Sequence, residues 1–275
     1  MSIAEHETRT AGMPVERSQH VLFFGAAALL VAGEAVFWLT LAAVQSNSGV
    51  AALDGPVHDS LVASRNSVAT AALTAVTTVT SPLWMTVVGF VLALLWGIRK
   101  RELWRPALLV AAMAATFGLS TFIKHQVNRA RPPTSDFLLG PDDAFSFPSG
   151  HTFGAGVFAV VLVYLVVSRS GRTSTSVVAF AAAAAGTVVV AFSRIYLGYH
   201  WLTDVLASTG LAVAVLGIVI LADGLRAARA PGPSRQGRPK TRRPWPGRSP
   251  RRTLRTTPAD GTTPDTAPRA SLPRP

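Results

Sequence analysis

The chain has 275 residues, of which 49% are hydrophobic, and it carries a formal net charge of +12 at pH 7. This apolar content is typical of an integral membrane protein. Residues 224–275 hold 13 Lys and Arg against two Asp, so this tail carries +11 and the rest of the chain only +1. The charge therefore does not indicate a nucleic-acid-binding body, and the absence of cysteine excludes disulfides, thiolate metal sites and a cysteine nucleophile.

A polar leader at 1–20, predicted to be disordered, is followed by apolar segments long enough to cross a bilayer. The first is longer than a signal-peptide core, which favours a retained helix. Glu34 lies in its middle and is expected to face other helices or water, because a lipid-facing carboxylate is costly. The sequence predicts an all-α membrane domain over 21–223 with six spans: 21–45, 82–98, 106–123, 152–167, 174–193 and 205–222.

The segment 46–81 between the first two spans is harder to place. Its first half is amphipathic and its second half is apolar but short and rich in Thr. We expect a helix that lies on the membrane surface or a partly inserted hairpin. His58 in its first half is expected to be a solvated surface residue.

The basic turns at 99–105 and 169–172 and the basic tail predict the orientation of the chain. By the positive-inside rule these segments are cytoplasmic, as are both termini, and residues 124–151 and 194–200 lie on the opposite, extracytoplasmic side. The tail at 224–275 is predicted to be disordered and weakly attracted to anionic lipid headgroups. The Ala-, Arg- and Pro-rich composition of the chain favours a bacterial plasma membrane protein.

Two cations follow the third span. Lys124 and Arg131 are seven residues apart, about two helical turns, so both are predicted to point to one side and to bind an anion before Pro132 and Pro133 stop the helix. Anchoring to lipid headgroups is the alternative interpretation. Arg129 is expected to face solvent or headgroups.

The residues Ser149, Gly150 and His151 immediately precede the fourth span. Glycine lets a ligand approach the backbone, and free N–H groups at a helix start favour an anion. A plain helix cap is the alternative interpretation of this turn.

Arg194, His200 and Asp204 lie between the last two spans. His200 and Asp204 are four residues apart and are predicted to share one side of a helix, where the carboxylate fixes the imidazole tautomer. A structural His-Asp cap is again the alternative. Taken together, the three clusters supply three cations, a hydroxyl, two histidines and a carboxylate on one predicted side, an inventory that suits phosphoryl transfer.

These residues resemble the three-part signature of the type 2 phosphatidic acid phosphatase superfamily, which includes lipid phosphate phosphatases, polyprenyl diphosphate phosphatases and vanadium haloperoxidases. The haloperoxidases are soluble, so the predicted spans disfavour that branch. The resemblance implies a metal- and cofactor-independent reaction in two steps through a phosphohistidine. It implies His200 as the nucleophile, Asp204 as the residue that orients it, His151 as the general acid, and a phosphate-binding set of Lys124, Arg131, Ser149, Gly150 and Arg194.

The predicted function is a membrane phosphatase that hydrolyses a lipid phosphate or diphosphate at the outer leaflet. Polyprenyl diphosphate, phosphatidic acid and phosphatidylglycerol phosphate all remain open as substrates, and the sequence indicates no oligomeric state. A lipid-linked phosphotransferase would use the same residues. The non-enzymatic alternative is a membrane anchor whose basic tail recruits partners.

Overall fold

The computed structural model describes residues 13–169 and 173–229, with side chains from residue 19. These ranges are helical, without strands. Short 3-10 turns lie at Gly49–Leu53 and Thr134–Asp136. The α-helices are α1 (Met13–Ser46), α2 (Asp54–Ala63), α3 (Ser67–Val79), α4 (Pro82–Lys100), α5 (Trp104–Val127), α6 (Gly150–Val167), α7 (Thr173–Tyr196) and α8 (Leu202–Arg229).

Six of these helices, α1 and α4 to α8, are long and apolar enough to cross a membrane. A helix satisfies all of its internal backbone groups within the segment, which is what the hydrocarbon region demands. The predicted fold class, an all-α membrane core of six spans, is confirmed, and the chain is a multi-pass membrane protein.

The core of the bundle lies around α6 and α8, whose spans are the most deeply buried. α8 packs against α1 and α6, and α6 also contacts α5 and α7. The α1–α8 contact is very close, because a Cβ on Gly33 would lie 2.5 Å from the Gly210 carbonyl oxygen and one on Gly217 would lie 2.6 Å from that of Ala26. Small residues allow this approach, and close packing is what holds helices together in lipid.

Two predicted boundaries need correction. α1 already begins at Met13, so residues 13–20 are helical, and α8 continues to Arg229, so residues 224–229 belong to the last helix and not to the tail. Both segments extend an apolar helix by one or two turns of polar residues, which hydropathy alone does not detect. The remainder of both predictions, at 1–12 and 230–275, lies outside the described residues.

Glu34 is half-buried, and its Oε2 accepts a hydrogen bond from Trp38 Nε1 at 3.0 Å. Its hydrogen-bond partner therefore lies one turn further along the same helix and not on a neighbouring one. An i to i+4 pair of this kind satisfies one oxygen of a carboxyl group within an apolar helix.

The 46–81 segment folds into α2 and α3, and α3 packs against α7. Arg65, between the two helices, donates to the carbonyl oxygens of Tyr196 (3.0 Å) and Asp136 (2.9 Å). His58 is 2% exposed, with Nε2 3.1 Å from Asp136 Oδ2, so the expectation of a solvated histidine is wrong. The reason is tertiary: His58 contacts Asp136 in the loop before α6 and lies 5.4 Å from the centre of the Trp201 ring, and no local sequence pattern indicates either neighbour.

Candidate active site

Three chain segments meet where α5 ends and where α6 and α8 begin. α5 stops at Val127, and Asn128 takes a left-handed conformation with φ of 50°. The predicted helical path from Lys124 to Arg131 is therefore wrong, because the helix ends four residues before Arg131. Both side chains nevertheless reach the same site, Arg131 from the extended segment that follows.

Asp204 is fully buried, and four groups donate to its carboxylate. Oδ2 accepts from the Ser146 hydroxyl, from the Trp201 N–H at 2.9 Å and from His200 Nδ1 at 3.2 Å. Oδ1 accepts from Arg129 at 2.6 Å. The carboxylate is thus fixed in one orientation, with one of its oxygens on the imidazole.

His200 lies in the turn just before α8 and is 2% exposed. Burial, together with the charges of Arg131 and Arg194, holds its pKa well below the ordinary 6.5, so the imidazole is neutral at neutral pH. With the Nδ1 proton donated to Asp204, the lone pair is on Nε2, which lies 3.4 Å from Arg131 Nη1. An imidazole in this tautomer presents a nucleophilic nitrogen beside a cation.

Arg129 bridges two buried carboxylates, contrary to the expectation that it faces solvent or headgroups. Nη1 donates to Asp204 Oδ1 and to Thr203 Oγ1, both at 2.6 Å, and Nη2 donates to Asp54 Oδ2 at 2.5 Å. Asp54, from the first turn of α2, also accepts from Thr203 N at 2.9 Å and Thr203 Oγ1 at 2.7 Å. The α2 segment is therefore part of the support for Asp204.

Lys124 and Arg131 are held by the loop before α6. Lys124 Nζ donates to the Phe145 carbonyl, and Arg131 donates to the carbonyls of Ala144 (2.6 Å) and Tyr199 (2.7 Å). Asp142 makes an ion pair with Arg131 at 2.7 Å. Burial lowers the pKa of Arg131 below its ordinary value, an effect that Asp142 partly offsets, and the guanidinium stays charged at neutral pH.

Arg194 is the most isolated of the three cations. It is 4% exposed, its Nη1 donates to Thr77 Oγ1 at 2.7 Å, and its guanidinium lies 4.4 Å from the centre of the Tyr199 ring. Within the described ranges it pairs with no carboxylate, and its Nε has no hydrogen-bond partner. A buried cation of this kind is costly unless an anion is supplied from outside the chain.

Ser149 caps α6: its Oγ accepts from Thr152 N at 3.5 Å and from Thr152 Oγ1 at 3.2 Å. Its own hydroxyl proton remains free to donate to a ligand. Gly150 and His151 form the first turn of α6, where backbone N–H groups favour an anion. His151 interacts electrostatically with Arg194, His200, Arg131 and Lys124. The cap interpretation and the ligand interpretation of this turn are thus compatible.

An apolar cavity of about 330 Å³ opens beside Lys124 and Gly150. It continues into a groove of about 450 Å³ between α4 and α5, and both are lined by Pro82, Thr86, Met113 and Phe117. Lys124 thus lies at the head of a long apolar path between two membrane helices.

The structure brings all eight predicted site residues to one end of the bundle. The sequence interpretation missed Asp54, Arg129 and Ser146. For Asp54 and Arg129 a signal was available. Arg129 was predicted to lie on the extracytoplasmic side, the 46–81 segment that follows the first span comes to that same side in a six-span topology, and opposite charges near a membrane tend to pair. No three His, Asp or Glu side chains in the described ranges are grouped to ligate a metal ion. What the site offers is a set of donors for an anion.

Fold and site define a helical membrane protein with a cluster of buried cations, two histidines and a carboxylate at one end. Residues 105–226 match the family model of the PAP2 superfamily, which confirms the resemblance that the sequence motifs indicate. Phosphatidylglycerophosphatase B of Bacillus subtilis (strain 168) is 31% identical over 121 residues, which are 43% of this chain and 58% of that relative. The crystal structure of a transmembrane PAP2-type phosphatidylglycerolphosphate phosphatase from Bacillus subtilis superposes with a TM-score of 0.63 at 22% identity, covering 70% of this chain and 96% of the other.

Proposed function

We propose that the protein is a membrane phosphatase that removes phosphate from a lipid phosphate or diphosphate at the outer leaflet through a phosphohistidine on His200. The observation that carries this proposal is that Arg194, a buried guanidinium without a carboxylate partner among the described residues, lies in the same site as the Nε2 lone pair of His200, which faces Arg131 at 3.4 Å. A phosphate dianion between them would neutralise the cations and meet the nucleophile.

Substrate binding falls to three cations and the start of α6. Lys124, Arg131 and Arg194 would hold the non-bridging phosphate oxygens, with the Ser149 hydroxyl and the first N–H groups of α6 as further donors. Because Arg131 is fixed by two carbonyls and Asp142, it would be in position before the substrate arrives.

In the first chemical step, Nε2 of His200 attacks phosphorus while the bond to the leaving oxygen breaks. His151 gives that oxygen a proton, and the ring of His200, now substituted on Nε2 and protonated on Nδ1, is cationic and stabilised by Asp204. In the second step His151 takes a proton from water as the water oxygen attacks phosphorus, the P–N bond breaks, and inorganic phosphate leaves.

The cavity at Lys124 and the groove between α4 and α5 support a lipid as the substrate, since an apolar chain would lie in them with its phosphate at the cations. Phosphatidylglycerol phosphate is one candidate, because the Bacillus relative carries the name of a phosphatidylglycerophosphatase. Phosphatidic acid and a polyprenyl diphosphate present the same terminal phosphate on an apolar chain.

The test is phosphate release by the purified protein in detergent with EDTA from these three lipids. The His200→Ala variant is compared with His20→Ala, which removes an exposed histidine of α1. We expect metal-independent release by wild type and His20→Ala, an acid-labile phosphoenzyme, and neither with His200→Ala. Turnover by His200→Ala would refute the covalent mechanism. Phosphate that appears only on an added acceptor lipid would identify a phosphotransferase, and no reaction with any lipid would favour the anchor.

A further inference from the structure

The end of the bundle away from His200 has a groove that the phosphatase reaction does not use. It lies between α4 and α6, beside the start of α5, and has a volume of about 640 Å³. We propose that it binds one anionic phospholipid of the bilayer, with the headgroup phosphate on Arg99 and Lys100 and an acyl chain between the two helices.

The deeper part of the groove is apolar. Leu92, Leu95 and Trp96 of α4 face Leu162 and Val166 of α6 across it. From Leu92 to Lys100 the helix rises about 12 Å, so the apolar part reaches well below the charged rim into hydrocarbon depth. This shape fits a lipid chain better than a water-soluble ligand.

The rim carries four cations and one carboxylate, so its charge is positive. Glu102 is occupied by Arg169, whose two guanidinium nitrogens donate to it at 3.0 and 2.8 Å. Arg105 is buried, donates to Asp223 at 3.0 Å and to the Leu165 carbonyl at 2.5 Å, and keeps a buried Nε without a hydrogen-bond partner among the described residues.

The side chains of Arg99 and Lys100 are exposed, and within the described part of the chain neither side chain makes a hydrogen bond or an ion pair. They therefore supply two free charges at the head of an apolar groove. Basic pockets of this kind between membrane helices favour anionic headgroups. The chain's own tail is an unsuitable occupant, because residues 230–275 hold 11 Lys and Arg against two Asp and carry a charge of +9.

This site is separate from the phosphatase site. Arg105 and Lys124 lie at opposite ends of α5, about 28 Å apart along its axis, which is close to the thickness of a bilayer core. The two sites nevertheless share α4, whose other end lines the substrate cavity through Pro82 and Thr86. α4 has the least buried span of the six, so a lipid between α4 and α6 would hold it in place.

The experiment measures retention of phosphatidylglycerol against phosphatidylcholine by native mass spectrometry, together with the unfolding temperature in micelles of each lipid. The variant is Arg99→Gln/Lys100→Gln, and the matched control is Arg101→Gln/Arg229→Gln, which removes two cations outside the groove. A further variant, Lys124→Gln/Arg131→Gln, removes cations from the phosphatase site.

We expect wild type to retain one phosphatidylglycerol and to unfold at a higher temperature with it. Arg99→Gln/Lys100→Gln should bind it about 30-fold more weakly, at about fivefold per basic residue near an anionic surface. The control and the phosphatase-site variant should stay within about twofold of wild type. If the control lost phosphatidylglycerol binding to the same extent, the attraction would be a diffuse surface effect. If only Lys124→Gln/Arg131→Gln lost binding, the lipid would lie at the phosphatase site. If wild type retained phosphatidylcholine equally well, the groove would not recognise charge. Each of these three results overturns the proposal.

Discussion

Replacing Arg129 by Gln tests the most consequential contact of the candidate active site. The guanidinium lies between Asp204, which is fully buried, and Asp54, which is 5% exposed, at 2.6 and 2.5 Å. Glutamine is shorter than arginine and carries no charge, so two buried carboxylates would be left without a cation.

The expected loss of unfolding free energy follows from the burial of the two carboxylates. Removing one partner of a buried ion pair costs about 3–5 kcal/mol, because the remaining charge stays desolvated. Asp54→Asn alone leaves Arg129 with Asp204 and should cost less, about 1.5–3 kcal/mol for a hydrogen bond to a charged group. In the double variant one stranded charge is absent, so the loss should be smaller than the sum of the single losses by roughly 0.5–3 kcal/mol.

The assay is reversible unfolding in mixed micelles for wild type, both single variants, the double variant and Arg229→Gln as an exposed control. Phosphate release is measured on the same samples, and kcat of Arg129→Gln should fall roughly 10²-fold, since Asp204 loses its contact on Oδ1 and orients His200 less precisely. If the stability and kcat of Arg129→Gln equalled those of Arg229→Gln, the reasoning would be refuted, and Arg129 would face solvent or headgroups as the sequence indicates.

Three further predictions concern the acid, the helix packing and the pH response. His151→Asn should lower turnover by roughly 10²- to 10⁴-fold for a lipid monophosphate. The loss should be smaller for a lipid diphosphate, because its leaving phosphate needs little protonation. Turnover of both lipids is measured, and an equal loss for the two would contradict an acid role. Gly217→Ala places a Cβ 2.6 Å from the Ala26 carbonyl oxygen and should cost about 1–3 kcal/mol, whereas Gly186→Ala meets open space and should be neutral or stabilising in the same unfolding assay. The pKa of His200 is lowered in the folded state, so below pH 6.5 only the unfolded state takes up a proton on this imidazole. The free energy of unfolding should therefore decrease as the pH is lowered, by up to about 1.4 kcal/mol per pH unit from this group. The fall in unfolding free energy from pH 7.5 to 5.5 should be smaller in His200→Gln, and an unchanged fall would show that His200 titrates normally.

The motif residues were predictable because their types and spacings are local. Ser149 caps α6 at the start of the predicted fourth span, and His200 and Asp204 are in contact across four residues as predicted. Lys124 and Arg131 come together as predicted although the helix predicted to connect them ends at Val127. Where a helix stops at a left-handed residue, periodicity no longer predicts the direction of a side chain.

The sequence by itself determined the membrane class and the six spans. Span length and apolar content follow from the thickness of the hydrocarbon layer and from the need to satisfy every backbone group within a segment, and both can be counted along the chain. It also determined which residue types the site contains.

Only the tertiary structure decided which charges meet. Arg129 and Asp54 are 75 residues apart, and His58 and Asp136 are 78 apart, so their partners depend on how the 46–81 segment folds over the ends of the spans. A charge on a loop is equally consistent with solvent or with a buried partner until that fold is known. The free-energy difference between an exposed and a buried ion is several kcal/mol, and it depends on contacts that no local sequence pattern encodes.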